Sequence, residues 1–220
     1  MSKKAIIAGA TGLIGAHLLR ILLEAPEYSE VLILVRKPIA LKHPKLKQHV
    51  LNFDKLHDYT NLIKGDVLFS CLGTTRKKTP DRKDYYKIDH DYPVILGEIA
   101  KQNSIPQYHL ISAIGADPNS AIFYSRMKGE TERDLAKLNL PVLFIYQPSM
   151  LAGNREEHRV LERSLILVWR VLNPLLIGSL KKYRSINAET LALALYKNSL
   201  QEKKASNVFT YKEIQELLTT

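Results

Sequence analysis

The stretch Tyr124-Ser-Arg-Met-Lys128 sets a phenol and an ammonium four residues apart, a spacing that puts both side chains on one face of a helix. A free phenol has a pKa of about 10 and is a poor acid–base at neutral pH. A Lys ammonium held beside it stabilises the phenolate and brings that pKa down. Ser112 lies 12 residues earlier, near the end of the apolar run YHLISA, Tyr108–Ala113. Its hydroxyl can hold a carbonyl oxygen. The three side chains suit proton exchange at an oxygen, as in carbonyl reduction or alcohol oxidation. Tyr-x-x-x-Lys alone is common on helix surfaces, so the reading needs a second, independent signal.

That signal is GATGLIG, Gly9–Gly15, directly after the apolar run beginning at Ala5. The glycines fall at 9, 12 and 15, between a predicted strand and a predicted helix. There, Gly9 permits a tight turn and Gly12 lets backbone amides approach a pyrophosphate. Gly15 lets helix and strand pack closely, with the anion on the helix N-terminus. A tight turn without ligand is the plainer alternative.

Dinucleotide sites of this kind usually carry an acidic residue at the end of the second strand, where it binds the ribose 2′-hydroxyl. Here the run reads VLILVRKP, with Arg36 and Lys37 in that place. A cation suits a 2′-phosphate, and Arg36 offers it a planar fork, with Lys37 the weaker candidate. The expected cofactor is therefore NADP(H) in preference to NAD(H). A solvated turn charge is the alternative for both. Asp54, after the third predicted strand, suits either the adenine amino group or the N-cap of a short helix.

These residues need a frame that brings strand ends together. Apolar runs at Ala5–Gly9, Val31–Val35, His49–Phe53, Asp66–Gly73, Tyr108–Ala113 and Val142–Tyr146 read as strands. Helical spacing covers Leu13–Ala25, Asp91–Gln102, Phe123–Leu138 and Ala188–Leu200. The alternation predicts an α/β fold: a Rossmann-like doubly wound parallel sheet with helices on both faces. Ligands of such sheets sit beyond the carboxyl ends of the strands, and Gly9, Arg36, Asp54, Gly73 and Ser112 all follow strand runs. After Pro148 the alternation weakens. Residues 153–185 read as a small C-terminal helical cap over the site, within one NAD(P)-binding domain spanning 1–220.

The chain has 220 residues and a net charge of +10, with 32 Lys and Arg against 22 Asp and Glu. The positive charges are scattered and no basic face is interleaved with aromatics, which argues against a nucleic-acid binder. The one cysteine, Cys71, excludes an intrachain disulfide, and its apolar neighbours suit an inert thiol. No metal-ligand cluster is evident. The apolar run after Met1 is interrupted by glycines, so no signal peptide is expected. The stretch Ser164–Leu180 is broken by Arg170, Asn173 and Pro174 and is shorter than the ~20 apolar residues of a spanning helix. A cytoplasmic location and a monomer or homodimer are expected. Trp169–Lys182, followed by Arg184, is either a substrate-covering lid or a weak peripheral membrane contact.

GATGLIG, Ser112 and Tyr124-Ser-Arg-Met-Lys128 together resemble the short-chain dehydrogenase/reductase superfamily, in its extended and atypical branches. The match is closer over SCLGTTRKK (Ser70–Lys78), KIDHDYP (Lys87–Pro93), LISAIGADPNS (Leu110–Ser120), KGETE (Lys128–Glu132) and QPSMLAGNREEHR (Gln147–Arg159). These segments are similar to the Tat-interacting-protein-like oxidoreductase group, over nearly the whole chain. The resemblance implies that Gly9, Thr11, Gly12, Leu13, Ile14 and Gly15 line the pyrophosphate and that Arg36 meets the 2′-phosphate. It implies that Leu72, Gly73, Thr74 and Thr75 line the nicotinamide ribose, and that Ser112, Tyr124 and Lys128 form the catalytic set, with Tyr124 and Lys128 also against the cofactor.

Two departures from the pattern bear on function. Relatives often carry Asn where this chain has Asp89, which puts a supporting water relay in doubt. Extended relatives read Arg-Pro where this chain has Gln147-Pro148, so a substrate contact by that Arg is lost. Arg76, Lys77 and Lys78 face an anionic substrate, the cofactor phosphate or plain solvent. The expected activity is NADP(H)-dependent hydride transfer to or from a carbonyl or alcohol of a small molecule, with epimerase- or dehydratase-like chemistry as a neighbouring possibility. The alternative is a non-catalytic NADP(H)-binding regulator acting through a protein partner, since the resembled group is also discussed in regulatory terms.

Overall fold

The computed structural model describes residues 2–149, 151–152, 183–201 and 205–219. The expected helical cap lies almost entirely outside them, as does the apolar stretch Trp169–Lys182. Among the described residues no helix is long and apolar enough to cross a membrane.

Seven parallel strands form the central sheet: β1 (Lys3–Ala8), β2 (Tyr28–Val35), β3 (Leu46–Val50), β4 (Val67–Ser70), β5 (Gln107–Ile111), β6 (Leu143–Tyr146) and β9 (Asn207–Phe209). Their order across the sheet is β3-β2-β1-β4-β5-β6-β9. Strand order therefore reverses between β1 and β4, which pair directly from Ala5↔Val67 to Ala8↔Ser70. A crevice opens at such a reversal because the connections leave the two strands in opposite directions. A separate two-stranded ribbon pairs β7 (Leu151–Ala152) with β8 (Ile186–Asn187).

Both faces of the sheet are covered, which explains strands that are apolar on both sides. On one face, α1 (Leu13–Glu24), α5 (Ala188–Leu200) and α6 (Tyr211–Thr219) bury Leu18, Leu22, Leu191, Leu195 and Ile214 against Ile7, Ile33 and Phe69. On the other, α3 (Tyr92–Gln102), α4 (Phe123–Lys137) and a 3₁₀ segment at Phe53–Leu62 bury Leu96, Ile99, Leu135 and Leu56 against Ile6, Leu32 and Leu68. Before α3 run a short helix, α2 (Arg82–Tyr86), and a π-helical turn at Lys87–Asp91.

Two expectations need correction. The third strand is Leu46–Val50, not His49–Phe53. Leu51 and Phe53 are buried, but from the loop and 3₁₀ turn after an edge strand whose residues are half-exposed. Alternation also continues past the cap, through α5, β9 and α6. β9 is three residues long with only Phe209 buried, too short for a periodic signal.

Candidate active site

The turn after β1 shows why glycine stands at its first and third positions. Gly9 has φ +88°, and a Cβ there would lie 2.5 Å from the Cys71 carbonyl oxygen. A Cβ on Gly15 would lie 2.2 Å from the carbonyl oxygen of Gly9. Both contacts are with backbone and cannot relax by rotation of a side chain, so β1, α1 and the end of β4 meet here only without Cβ atoms. Gly12 closes the turn through its N–H to Gly9 O at 3.0 Å and starts α1.

Above this turn lies a cavity of about 630 Å³. It is lined from β1 and α1 by Thr11, Gly12, Leu13 and Ile14, from the end of β4 by Leu72, Gly73, Thr74 and Thr75, and from β5 and α4 by Ser112, Tyr124 and Lys128. Eleven of the residues singled out in the sequence thus share one space. Gly9 and Gly15 shape its floor without lining it. Arg36, Lys37 and Asp54 are exposed and are not among the lining residues. Asp54 instead accepts from Tyr92 Oη (2.9 Å) and pairs with Lys87 Nζ (3.1 Å). Those contacts hold its carboxyl below the usual range, Tyr92 first. It is not the N-cap: Asn52 Oδ1 takes that role by accepting from Asp54 N at 3.0 Å. Arg36 is close enough to Tyr92 for its charge to act on the phenol, so it belongs to the same neighbourhood as Asp54.

On α4, Tyr124 is exposed at the mouth of the cavity while Lys128 is buried one turn deeper. The helix sits this close to the strand ends because of Gly129. A Cβ there would lie 2.2 Å from Pro118 N and 2.3 Å from the Asp117 carbonyl carbon, so the loop after β5 lies flat on α4. Thr131 Oγ1 donates to Asp89 O (3.1 Å) and Met127 O (2.8 Å), tying the π-helical turn to the same helix.

Asp89 is the largest departure from the sequence reading. The expected question was whether a water relay survives when Asn is replaced. The structure shows a direct ion pair instead: Lys128 Nζ lies 2.9 Å from Asp89 Oδ1, with both side chains almost wholly buried. The other oxygen, Oδ2, accepts from Thr74 N at 2.9 Å. One carboxylate thus joins the loop after β4 to α4. Burial pulls the Lys128 ammonium down, but Asp89, Tyr124 and Glu132 together outweigh it and hold the ammonium above its ordinary value.

Ser112, at the carboxyl end of β5, is buried, and its hydroxyl donates to Glu132 Oε1. Gln147, at the end of β6, donates to both Glu132 oxygens at 2.9 Å. The departure at Gln147 is therefore filled by an inward-facing amide. Neither contact was foreseen, although Tyr124, Lys128 and Glu132 fall at i, i+4 and i+8, one stripe of a helix. His17 and Arg20 also line the cavity without having been assigned there, and of the basic run Arg76–Lys78 only Lys78 lines it. Cys71 lines it too, its thiol pushed up to about 12 by burial, as suits an inert side chain. No group of metal-ligating side chains occurs among the described residues.

The residues present fit a dinucleotide. Only Gly9 O, at 3.2 Å, comes within 3.4 Å of a Cβ built on Gly12, which leaves the helix N-terminus open to an anion. The cavity volume is in the range of small-molecule and cofactor sites.

Sheet order, glycine turn and cleft at the strand reversal define a Rossmann-type nucleotide-binding protein. A family model described as NAD(P)H-binding matches residues 9–165. Among curated proteins, "Protein FMP52, mitochondrial" of Eremothecium gossypii is 35% identical over 154 residues, 70% of this chain and 69% of that protein. Rat "Protein HTATIP2" is 33% identical over 162 residues, 72% of this chain and 66% of that protein. The matches thus reach about two thirds of those relatives' own length. Among solved structures, MoeE5 in complex with UDP-glucuronic acid and NAD superposes with TM-score 0.70, 14% identity, and coverage of 94% of this chain and 75% of that one. Bordetella bronchiseptica WbmH in complex with NAD+ gives 0.67, 17%, 97% and 78%. At these identities the structures establish the fold. The chain belongs to the NAD(P)H-binding family, with HTATIP2 and FMP52 among its relatives.

Proposed function

We propose that the protein is an NADP(H)-dependent oxidoreductase acting on a carbonyl or alcohol, with Tyr124 as acid–base. The observation that carries this reading is that Ser112, Tyr124 and Lys128 line the same cavity as Gly12 and Gly73. A bound nicotinamide cofactor supplies or accepts the hydride. Thr11, Gly12, Leu13 and Ile14 hold its pyrophosphate, and Leu72 to Thr75 its nicotinamide ribose. Arg36 meets the 2′-phosphate and Asp54 lies at the adenine end. Tyr124 gives its phenolic proton to the substrate oxygen in reduction and takes one back in oxidation. Lys128 stabilises the phenolate through space, and Ser112 orients the substrate oxygen.

Turnover should therefore depend on one hydroxyl. Tyr124→Phe should lower carbonyl reduction by 10²-fold or more, on the order of what one acid–base group contributes, while NADPH affinity stays within a few-fold. Equal turnover by variant and parent would remove Tyr124 from the mechanism.

A second reading has its own observation. The Ser112 hydroxyl is bound to Glu132 and the Lys128 ammonium to Asp89, so both groups are engaged within the protein. A cofactor-sensing regulator with the same fold accommodates that arrangement. NADPH binding with no hydride transfer to any carbonyl would favour it.

A further inference from the structure

Ser112 has one hydroxyl proton, and in the structure Glu132 holds it. A hydroxyl that donates to a carboxylate cannot donate the same proton to a substrate oxygen. Yet the reading above, on which the following rests, needs Ser112 to do the latter. The surroundings of Glu132 show how both can hold.

Glu132 lies on α4 four residues beyond Lys128, with Ser112 approaching from β5 and Gln147 from β6. Gln147 Nε2 is 2.9 Å from each carboxyl oxygen. It can therefore stay on Oε2 when Oε1 carries a proton. Oε1 then donates to Ser112 Oγ, and the serine proton is free to turn toward the cavity that Ser112 lines. The charged groups facing this carboxyl among the described residues are Lys128 on its own helix and, through Lys128, Asp89 of the π-helical turn. Lys128 is already paired with Asp89, so its pull on Glu132 is shared. Gln147 is neutral where the resembled extended relatives carry Arg, so no guanidinium pins Glu132 as a carboxylate.

We propose that Glu132 is a positioning residue for Ser112: as a carboxylate it draws the serine proton away from the cavity, and as a carboxylic acid it reverses that hydrogen bond and aims the proton at the substrate oxygen. No covalent bond to substrate is involved; one proton binds to Glu132 and one hydrogen bond changes direction. Carbonyl reduction needs the acid form. Burial, outweighing the hydrogen bonds from Ser112 and Gln147 and the pull of Lys128, keeps the Glu132 carboxyl above the usual range, which brings the exchange nearer to neutral pH.

Two measurements on the full chain test this. The first is a ¹³C NMR titration of glutamate carboxyls, with the Glu132 signal assigned by its loss in Glu132→Gln. Ser112→Ala should raise the Glu132 midpoint, because the carboxylate loses a donor, and Gln147→Arg should lower it. A midpoint that Ser112→Ala leaves in place overturns the coupling whatever the activity. The second is NADPH-dependent reduction of a panel of aryl aldehydes. In the parent, kcat/KM should fall as pH rises through the NMR midpoint. Glu132→Gln, whose amide always donates to Ser112, should be flat across that range. If the variant keeps the parent's slope, this inference fails and the oxidoreductase reading stands. If the parent reduces no aldehyde at any pH, the oxidoreductase reading and this inference fail together, although a shifted midpoint in Ser112→Ala would still show that Ser112 and Glu132 are coupled.

Discussion

Removing Asp89 should destabilise the protein by leaving Lys128 buried without its counter-charge. The Lys128 side chain is 6% exposed and Asp89 is 2% exposed, with 2.9 Å between Nζ and Oδ1. Breaking such a pair from one side costs about 3–5 kcal/mol, because an uncompensated charge remains in a poorly solvated place. For a chain of this size, 1 kcal/mol is worth roughly 2–4 °C in Tm, so Asp89→Ala should lose about 6–20 °C by calorimetry. Asp89→Asn should fall between parent and Ala. Its one amide oxygen can accept from Thr74 N or from Lys128 Nζ, but not from both positions that the two carboxylate oxygens now serve. Adding Lys128→Met to Asp89→Ala should recover most of the loss, as the double-mutant cycle of a coupled pair requires.

The pH dependence of stability gives an independent check on the same pair. In the parent, Lys128 is held above its ordinary 10.5. Its contribution is therefore complete below 10.5 and declines as pH rises through the higher folded value. Without Asp89, two of the influences that raise the ammonium are gone and burial, the largest remaining one, opposes its charge. The alkaline decline in stability should therefore weaken or reverse in Asp89→Ala. Equal losses in Asp89→Ala and the double variant, or the same alkaline slope with and without Asp89, would refute the reasoning.

Cofactor choice should rest on Arg36: a charge-assisted pair with a phosphate contributes about 1.5–3 kcal/mol, or roughly 10- to 150-fold in affinity. Thermal-shift titration at low salt should rank NADPH above NADH by that margin, and Arg36→Glu should erase or invert the ranking; equal affinities in the parent would make Arg36 a solvated turn residue. A third prediction concerns His109, fully buried between Tyr146 Oη (2.9 Å) and Gln107 Oε1 (3.2 Å) and brought down from 6.5 to about 3 by burial, with a smaller push from Lys3. Because its folded value is lowered, stability should fall as pH drops from 6.5 toward 3, by about 2 kcal/mol on going from neutral to about pH 5. His109→Phe should flatten that part of the profile in chemical denaturation, and an unchanged slope would count against a neutral buried His109.

Much of the frame was legible along the chain because its signals are local. Five of the seven strands fall on apolar runs, whereas β3, LKQHV, lies three positions before the stretch read as a strand, because Leu51 and Phe53 bury from the loop and 3₁₀ turn that follow it. The glycine spacing 9, 12, 15 announced the turn because each glycine answers a backbone contact within that turn or with the strand beside it. Tyr124 and Lys128 were legible through the helix period once the glycine turn and Ser112 stood beside them. The short strand β9 left no periodic trace, since pairing with β6 rather than its own pattern makes it a strand.

What tertiary structure decided is which charges meet. Asp89 and Lys128 are 39 positions apart, and Ser112, Glu132 and Gln147 come from three different elements. In the sequence, Asp89 and Gln147 could be seen only as departures from a family pattern. Folding turned the first into the counter-ion of Lys128 and the second into a neutral clamp on Glu132. The physical reason is range: propensity and periodicity act over a few residues, whereas an ion pair or a shared proton depends on the packing of α4 against the strand ends. That packing rests on Gly129, whose missing Cβ lets the Asp117–Pro118 backbone lie against the helix.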